Sequence, residues 1–303
     1  MLRGAAGGSR RGPLDPVDCV LCLVHGRIQQ VRGRLDLEAR VLARAAELVA
    51  EWRSRTDVFV DSYEYLLRLL GGDPYREVRL SLNRAAMEYL DSSGIEVRGA
   101  EQALELMAAA NGIDIPMPGY KPSFENLVSR LREKPALRGL RSLGDLASDV
   151  ERVVVVLDNA GEAVFDIYAG RVLAEEAGAE LVLVAREEPY EIDVTLSEAR
   201  DLAKRLAPKA RLVGTGGRFP VFHPRASQEA RRLVEDRSAL GIVKGIANTE
   251  AYMDFHDRVR VYRGVFLLRA KCRPLVRFFD VGFADPVAAS PRWIVERMAA
   301  LGG

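Results

Sequence analysis

The chain has 303 residues, of which 44 are basic and 43 are acidic, and its formal net charge at pH 7 is +1. A nucleic-acid-binding protein normally carries a basic excess or stripe, so this balance argues against a nucleic-acid partner. No apolar stretch reaches the roughly 18 residues of a membrane-spanning helix, so we expect a cytoplasmic protein with no membrane partner.

The first half of the chain predicts a leader followed by helices. Residues 1–14 are rich in Gly and Arg and lack the apolar core of a signal peptide, which favours a disordered leader. From residue 15 to about 145, apolar side chains recur three or four positions apart, as in "LDLEARVLARAAELVAEWR". Asp73 is predicted to cap a helix that begins at Pro74. We therefore predict a helical subdomain over residues 15–145, with an irregular link at 111–123.

The second half, residues 146–303, shows short apolar runs separated by helical segments. The five runs are residues 152–157, 180–185, 210–215, 240–245 and 264–270. Strands that alternate with helices at this spacing are typical of a mostly parallel, doubly wound sheet. The sequence therefore predicts an α/β protein in which this second subdomain carries the site.

Polar side chains follow the ends of the predicted strands. Asp158 and Asn159 follow the first strand, and Asp193 lies beyond the second. Lys244 and Lys271 follow the fourth and the fifth, where a lysine usually needs a partner, although both could be ordinary surface residues. In an open α/β sheet, ligands bind outside the carboxyl ends of the strands. We predict that these side chains hold a cation, such as Mg²⁺ or Mn²⁺, together with an anion.

The acidic and amide residues also have a purely structural interpretation. Asp158 or Asn159 could cap the helix that follows, but a cap needs only one of them. Thr195 and Glu198 match a capping box, so Thr195 is a better candidate than Asp193 for the cap of the next helix. This arrangement leaves Asp193 available as a ligand.

The cysteines do not describe a disulfide framework, because there are three of them. Cys19 and Cys22 form a CxxC pair that could share a metal, although no fourth ligand is obvious, and Cys272 lies far along the chain. Spacing alone leaves a metal site, a redox role and simple packing open.

Four stretches, taken in order, resemble the metal-dependent damage-control phosphatases, the family of domain of unknown function eighty-nine. "LDNAGEAVFD" (157–166) resembles the Asp-Asn-Ala-Gly-Glu hallmark, and "REEPYEIDVT" (186–195) resembles Arg-Gly-x-Pro-x-x-Asn-Asp-x-Thr. "VKGIANTEAY" (243–252) is similar to Lys-Gly-x-Gly-Asn-x-Glu, and "LLRAKC" (267–272) to Leu-Leu-Lys-Ala-Lys-Cys. The CxxC and Lys-Cys motifs are those of the archaeal and plant branch. The resemblance covers nearly the whole chain.

This resemblance implies a helical subdomain beside a Rossmann-like one, and a divalent-metal-dependent phosphatase that hydrolyses small phosphorylated metabolites such as sugar phosphates. The implied cofactor is Mn²⁺, Ni²⁺, Co²⁺ or Mg²⁺. The implied catalytic metal ligands are Asp158, Asn159 and Asp193. The residues implied to contact substrate or phosphate are Glu162, Lys244, Asn248, Glu250 and Lys271. The motifs also imply that three cysteines gather in space, namely Cys19, Cys22 and Cys272.

Departures from the family motifs fall beside the implied ligands. Glu187 and Ile192 replace Gly and Asn in the second motif, and Ala247 replaces Gly in the third. These changes leave the implied metal ligands in place. They make the substrate preference implied by the family uncertain. The residues do not decide whether Asp158 or a water molecule attacks phosphorus. The sequence does not indicate the oligomeric state.

Two other functions stay open. A Rossmann-like sheet could bind S-adenosylmethionine and support carboxyl methyltransferase activity, but the glycine-rich loop that this cofactor needs does not follow the first strand. The domain could also be a non-catalytic metal- or phosphate-binding module. Simple membership of the haloacid dehalogenase group is disfavoured, because Ala160 stands where its second Asp is required.

Overall fold

The computed structural model describes residues 16–112 and 133–302. The predicted leader and most of the predicted link at 111–123 lie outside these residues. No helix in the described part of the chain is long and apolar enough to cross a membrane.

Residues 16–112 form mainly helices, as the three-and-four spacing predicts. They are α1 (Pro16–Gln29), α2 (Leu35–Glu51), α3 (Arg55–Leu70), α4 (Arg76–Ser93) and α5 (Gly99–Ala110). The predicted cap at Asp73 is wrong, because α4 begins at Arg76. The Asp73 carboxylate instead accepts a hydrogen bond from the Tyr75 backbone N–H at 3.0 Å and pairs with Arg79 at 2.7 Å.

Seven strands form one sheet in the order β1-β7-β6-β5-β2-β3-β4. They are β1 (Ala136–Arg138), β2 (Arg152–Val156), β3 (Glu180–Ala185), β4 (Arg211–Gly214), β5 (Ala239–Lys244), β6 (Gly264–Arg269) and β7 (Pro286–Ala289). All neighbouring pairs are parallel except β6 and β7. The predicted mostly parallel α/β sheet is therefore confirmed, and the five predicted strands are β2 to β6.

Helices follow most of the strands and cover both faces of the sheet. They are α6 (Glu162–Ala177), α7 (Leu196–Leu206), α8 (Gln228–Val234), α9 (Gly245–Phe255), α10 (Arg273–Phe279) and α11 (Pro291–Gly302). Alternate valines of β2 enter two different cores. Val153 and Val155 pack in the core with α5 and α6, whereas Val154 and Val156 pack in the core with α9 and α10. Burial on both faces explains why β2 is an unbroken apolar run.

The sheet has its topological switch point between β2 and β5. The chain proceeds from β2 to β3 and β4 on one side and then returns to β5 on the other side of β2. A crevice therefore lies outside the carboxyl ends of these two strands, which is where open α/β sheets bind ligands. The predicted subdomain boundary at residue 145 stays a prediction. β1 lies before that boundary and pairs with β7.

Candidate functional site

The backbone at the end of β2 brings the three predicted metal ligands together. Val194 N–H donates to the Asp158 carbonyl at 2.8 Å. Asn159 and Asp193 form an isolated antiparallel bridge. Thr195 caps α7 in a complete capping box, as predicted, so Asp193 is not needed for that cap. All three ligand candidates are more than nine-tenths buried.

Arg186, at the end of β3, fixes one side of this group. Its Nε lies 2.5 Å from the Asp193 Oδ2 atom, and both side chains are buried. Its guanidinium also stacks on the Tyr190 ring, 4.4 Å from the centroid, and donates to the Arg218 carbonyl. Arg186 was not among the predicted site residues, although its position after a strand was the available signal.

Two buried arginines of the helical half hold the loop that carries Asp193. Arg79 donates to the Glu191 carbonyl at 3.0 Å and pairs with Glu198 at 3.0 Å. Arg27 pairs with the Glu191 carboxylate. α1 and α4 therefore position a segment that follows β3, which sequence pattern alone does not reveal.

Gly245 allows α9 to begin against the Asp158 carboxylate. Its φ is +78°, and a Cβ at this position would lie 1.8 Å from the Asp158 Oδ2 atom. Asn248, one turn later, donates to the Leu157 carbonyl at 3.2 Å and to the Lys244 carbonyl at 2.9 Å. The predicted substrate contact of Asn248 stays a prediction, because here its amide ties α9 to the end of β2.

Lys244 lies in a fully buried charged layer behind the ligand group. Its ammonium is 2.9 Å from Asp166 Oδ1 and 3.7 Å from Glu162 Oε1, and it donates to the Met107 carbonyl. Burial raises the pKa of Glu162 to about 8 and that of Asp166 to about 6, and the Lys244 cation opposes both shifts. The Lys244 cation offsets part of the cost of burying these two carboxyls. The predicted phosphate contact of Lys244 stays a prediction.

Asn111, at the end of α5, joins this layer to the site. Its amide nitrogen donates to Glu162 at 2.8 Å and lies 3.3 Å from Asp158 Oδ2. Its oxygen accepts from the Arg269 backbone N–H at 2.9 Å. Sequence pattern does not reveal this role of Asn111, because its contacts are with residues more than 40 positions away.

We expect Lys244→Met to destabilise the fold by about 3–5 kcal/mol, because two buried carboxyls lose the cation that pairs with both of them. The free energy of unfolding in urea measures this effect. Lys209→Met, at an exposed loop position, is the matched control and should change stability by less than about 0.5 kcal/mol. The double variant Lys244→Met/Asp166→Asn should recover part of the loss. Equal stability of Lys244→Met and the wild type would contradict this role.

A cavity of about 650 Å³ opens beside the ligand group. Of the predicted site residues, Asp158, Asn159, Asp193, Glu250 and Lys271 line it. Among the described residues on its wall are also the three cysteines, all with free thiols. Those predicted site residues that do not line it are Glu162, Lys244 and Asn248.

Glu250 on the cavity wall is paired with the helical half. Its carboxylate is 3.2 Å from the Nε atom of Arg55, which also donates to the Glu250 carbonyl at 3.1 Å. Burial raises the pKa of Glu250, and the Arg55 guanidinium opposes the rise. Arg55 was not among the predicted site residues, because its position at the start of α3 does not indicate a contact with Glu250.

The oxygen atoms of Asp158, Asn159 and Asp193 suit a hard divalent cation. Mg²⁺ and similar ions are commonly held by one or two carboxylates, with the remaining positions left to water or substrate. Within residues 16–112 and 133–302, no three His, Cys, Asp or Glu side chains are grouped to hold a metal by themselves. The site would therefore use the Asn159 amide oxygen as its third ligand, and a metal role for the three cysteines stays a prediction.

Comparisons with known proteins agree over most of the chain. A family model described as "Damage-control phosphatase ARMT1-like domain" matches residues 16–287. A damage-control phosphatase from Archaeoglobus fulgidus is 26% identical over 289 residues, which cover 91% of this chain and 97% of the relative. One from Pyrococcus horikoshii is 24% identical over 278 residues, covering 87% and 93%. The crystal structure of a DUF89 family protein from Pyrococcus horikoshii shares the fold, with a TM-score of 0.73 at 22% identity, and covers 90% of this chain and 97% of its own.

Proposed function

The chain belongs to the damage-control phosphatase ARMT1-like domain family, and from this premise we propose that it is a divalent-metal-dependent phosphatase that hydrolyses small phosphorylated metabolites. One observation carries the proposal. Two carboxylates and an amide from separate loops meet at the sheet's switch point, beside a cavity of about 650 Å³ that a buried lysine also lines. Such a set can bind a cation and a phosphate side by side.

Asp158, Asn159 and Asp193 would hold the metal, which neutralises negative charge on the phosphoryl oxygens when bound. The Asn159 amide nitrogen lies 3.5 Å from Glu162 Oε2, so its oxygen is directed away from that carboxylate, as a ligand role requires. The choice among Mn²⁺, Ni²⁺, Co²⁺ and Mg²⁺ and the cytoplasmic location stay predictions.

Lys271 would bind the phosphate group. Its side chain is 1% exposed and lines the cavity just beyond the end of β6. An ammonium at this place acts as a point charge toward phosphate oxygens. Arg186 keeps Asp193 in place through the 2.5 Å ion pair, and the buried Asn111 and Glu162 support Asp158 and Asn159 from behind.

Removal of divalent metal is expected to abolish phosphate release from p-nitrophenyl phosphate. The protein is stripped with a chelator, dialysed, and assayed after separate addition of Mg²⁺, Mn²⁺, Co²⁺ or Ni²⁺. Activity should return with at least one of these ions and stay absent in the stripped sample. Folded protein that binds one of the ions and releases phosphate with none of them would contradict the proposal.

A further inference from the structure

The cavity has two chemically different parts. The inner part, at the sheet edge, holds the proposed metal ligands and Lys271. The outer part lies between α1, α3 and the starts of α9 and α10, and it reaches the surface at Leu21, which is 61% exposed. Its apolar side chains are those of Leu21, Leu23, Phe59, Val60, Pro220, Ile246, Pro274 and Phe283. The outer part is thus predominantly apolar.

Several buried polar groups on the same wall are engaged with partners, and the wall also includes Asp18, His25 and Arg273. Arg27 donates to Ser62 Oγ and to the Phe59 carbonyl, both at 3.0 Å, and pairs with Glu191. Thr56 donates its hydroxyl to Asp254 at 2.7 Å. Arg55 and Glu250 pair with each other, as described above. A polyhydroxylated ligand would therefore find few open partners among these buried groups, and hydroxyls left unmatched there would cost binding free energy.

The three cysteines belong to this apolar wall. Burial raises the pKa of the Cys19 thiol to about 11 and also raises that of Cys272. A neutral thiol behaves as a small apolar group with only weak hydrogen bonding. Cys22, one helical turn from Cys19, lines the same wall. The cysteines therefore add apolar surface to this wall.

The cavity volume leaves room for more than a phosphate group. About 650 Å³ lies within the range of roughly 300–1,000 Å³ in which proteins bind drug-sized ligands. A phosphate at Lys271 would occupy only the inner part. The alcohol of the phosphoester must then lie along the apolar wall.

We propose that the substrate is a phosphomonoester of an apolar alkyl or aryl alcohol, and that the outer part of the cavity, including Cys19, Cys22 and Cys272, binds that alcohol. This inference rests on the proposed phosphatase function for the placement of the phosphate. It narrows the substrate class and disfavours simple sugar phosphates as the preferred substrates.

A series of n-alkyl phosphates tests the inference. Ethyl, butyl and hexyl phosphate have leaving groups of nearly equal reactivity, so differences in kcat/KM report binding of the chain. We expect kcat/KM to rise by up to about fourfold for each added methylene, the value for full burial. Glucose 6-phosphate should be turned over at least about tenfold less efficiently than hexyl phosphate. Dissociation constants for the same esters, measured by calorimetry, should follow the same order.

Leu21→Ser tests whether the outer part of the cavity binds the alkyl chain. An exposed side chain at the cavity mouth contributes little to folding, so the variant should remain folded. Its kcat/KM should fall increasingly from ethyl to hexyl phosphate. Leu42→Ser, at a 46% exposed position on α2 away from the cavity, is the control and should leave the whole series unchanged. Cys22→Ser should also reduce the gain per methylene, since a hydroxyl replaces a weakly polar thiol.

The outcomes separate the two proposals. Turnover that is equal along the alkyl series, or better for glucose 6-phosphate, would overturn the apolar-alcohol inference and leave the phosphatase intact. Absence of turnover with every ester and metal would overturn the phosphatase. In that case, tighter calorimetric binding of hexyl than of ethyl phosphate would still support the apolar wall, and equal binding would overturn it.

Discussion

Replacing Asp158 by Asn is expected to lower kcat/KM for p-nitrophenyl phosphate by about a hundred- to a thousandfold. The substitution keeps the shape of the side chain and removes its charge. A bound metal contributes several kcal/mol to phosphoryl transfer, and each 1.36 kcal/mol corresponds to a tenfold change in rate, hence this estimate. Metal binding, measured by calorimetry on the stripped protein, should weaken in parallel.

Stability distinguishes a ligand role for Asp158 from a structural one. Asp158 is 4% exposed, so in the absence of metal its charge is costly to bury, and an uncharged amide of the same shape avoids that cost. The stripped variant should therefore unfold at the same urea concentration as the wild type or a higher one. Asp201→Asn, on the exposed face of α7, is the control for activity. Wild-type turnover by Asp158→Asn, or loss of activity explained by unfolding, would contradict the ligand role.

Local patterns in the sequence predicted the elements that have strong periodicity. The runs that became β2, β3, β5 and β6 are buried along nearly their whole length, so their central side chains are apolar, whereas in β4 only Val213 is buried. β1 has only three residues, all half-buried, and β7 has four and begins with a proline. Both strands are too short to show a hydrophobic pattern in the sequence. The family resemblance is confirmed by the match over residues 16–287.

The site was predicted less completely, because its contacts are distant in sequence. Asp158, Asn159 and Asp193 follow strands, and the chain direction of a parallel sheet brings such residues to one edge. Lys244 is the last residue of β5, yet its partners are Asp166 and Glu162, whose orientation depends on how α6 packs on the sheet. Strand position is therefore a good guide to which residues are near the site and a poor one to which of them face the cavity.

Gly245→Ala should impair both the fold and the activity, whereas Gly178→Ala should affect only the fold. Both glycines have positive φ, at +78° and +63°, so each alanine incurs a backbone strain of roughly 1–2 kcal/mol. At Gly178 nothing lies within 4 Å of the added Cβ. At Gly245 the Cβ would lie 1.8 Å from Asp158 Oδ2, so the carboxylate must move away from its position beside Asn159.

The pair of alanine variants therefore separates backbone strain from displacement of Asp158. Urea unfolding should show a loss of about 1–2 kcal/mol for Gly178→Ala and a larger one for Gly245→Ala. Under conditions where both variants are folded, metal affinity and phosphate release should be close to wild type for Gly178→Ala. For Gly245→Ala both should be strongly reduced, with kcat/KM lowered by about a hundredfold, since a shift of about 1 Å in a positioned group has an effect of this size. If folded Gly245→Ala bound metal and released phosphate as well as Gly178→Ala, the position of the Asp158 carboxylate would not control the reaction.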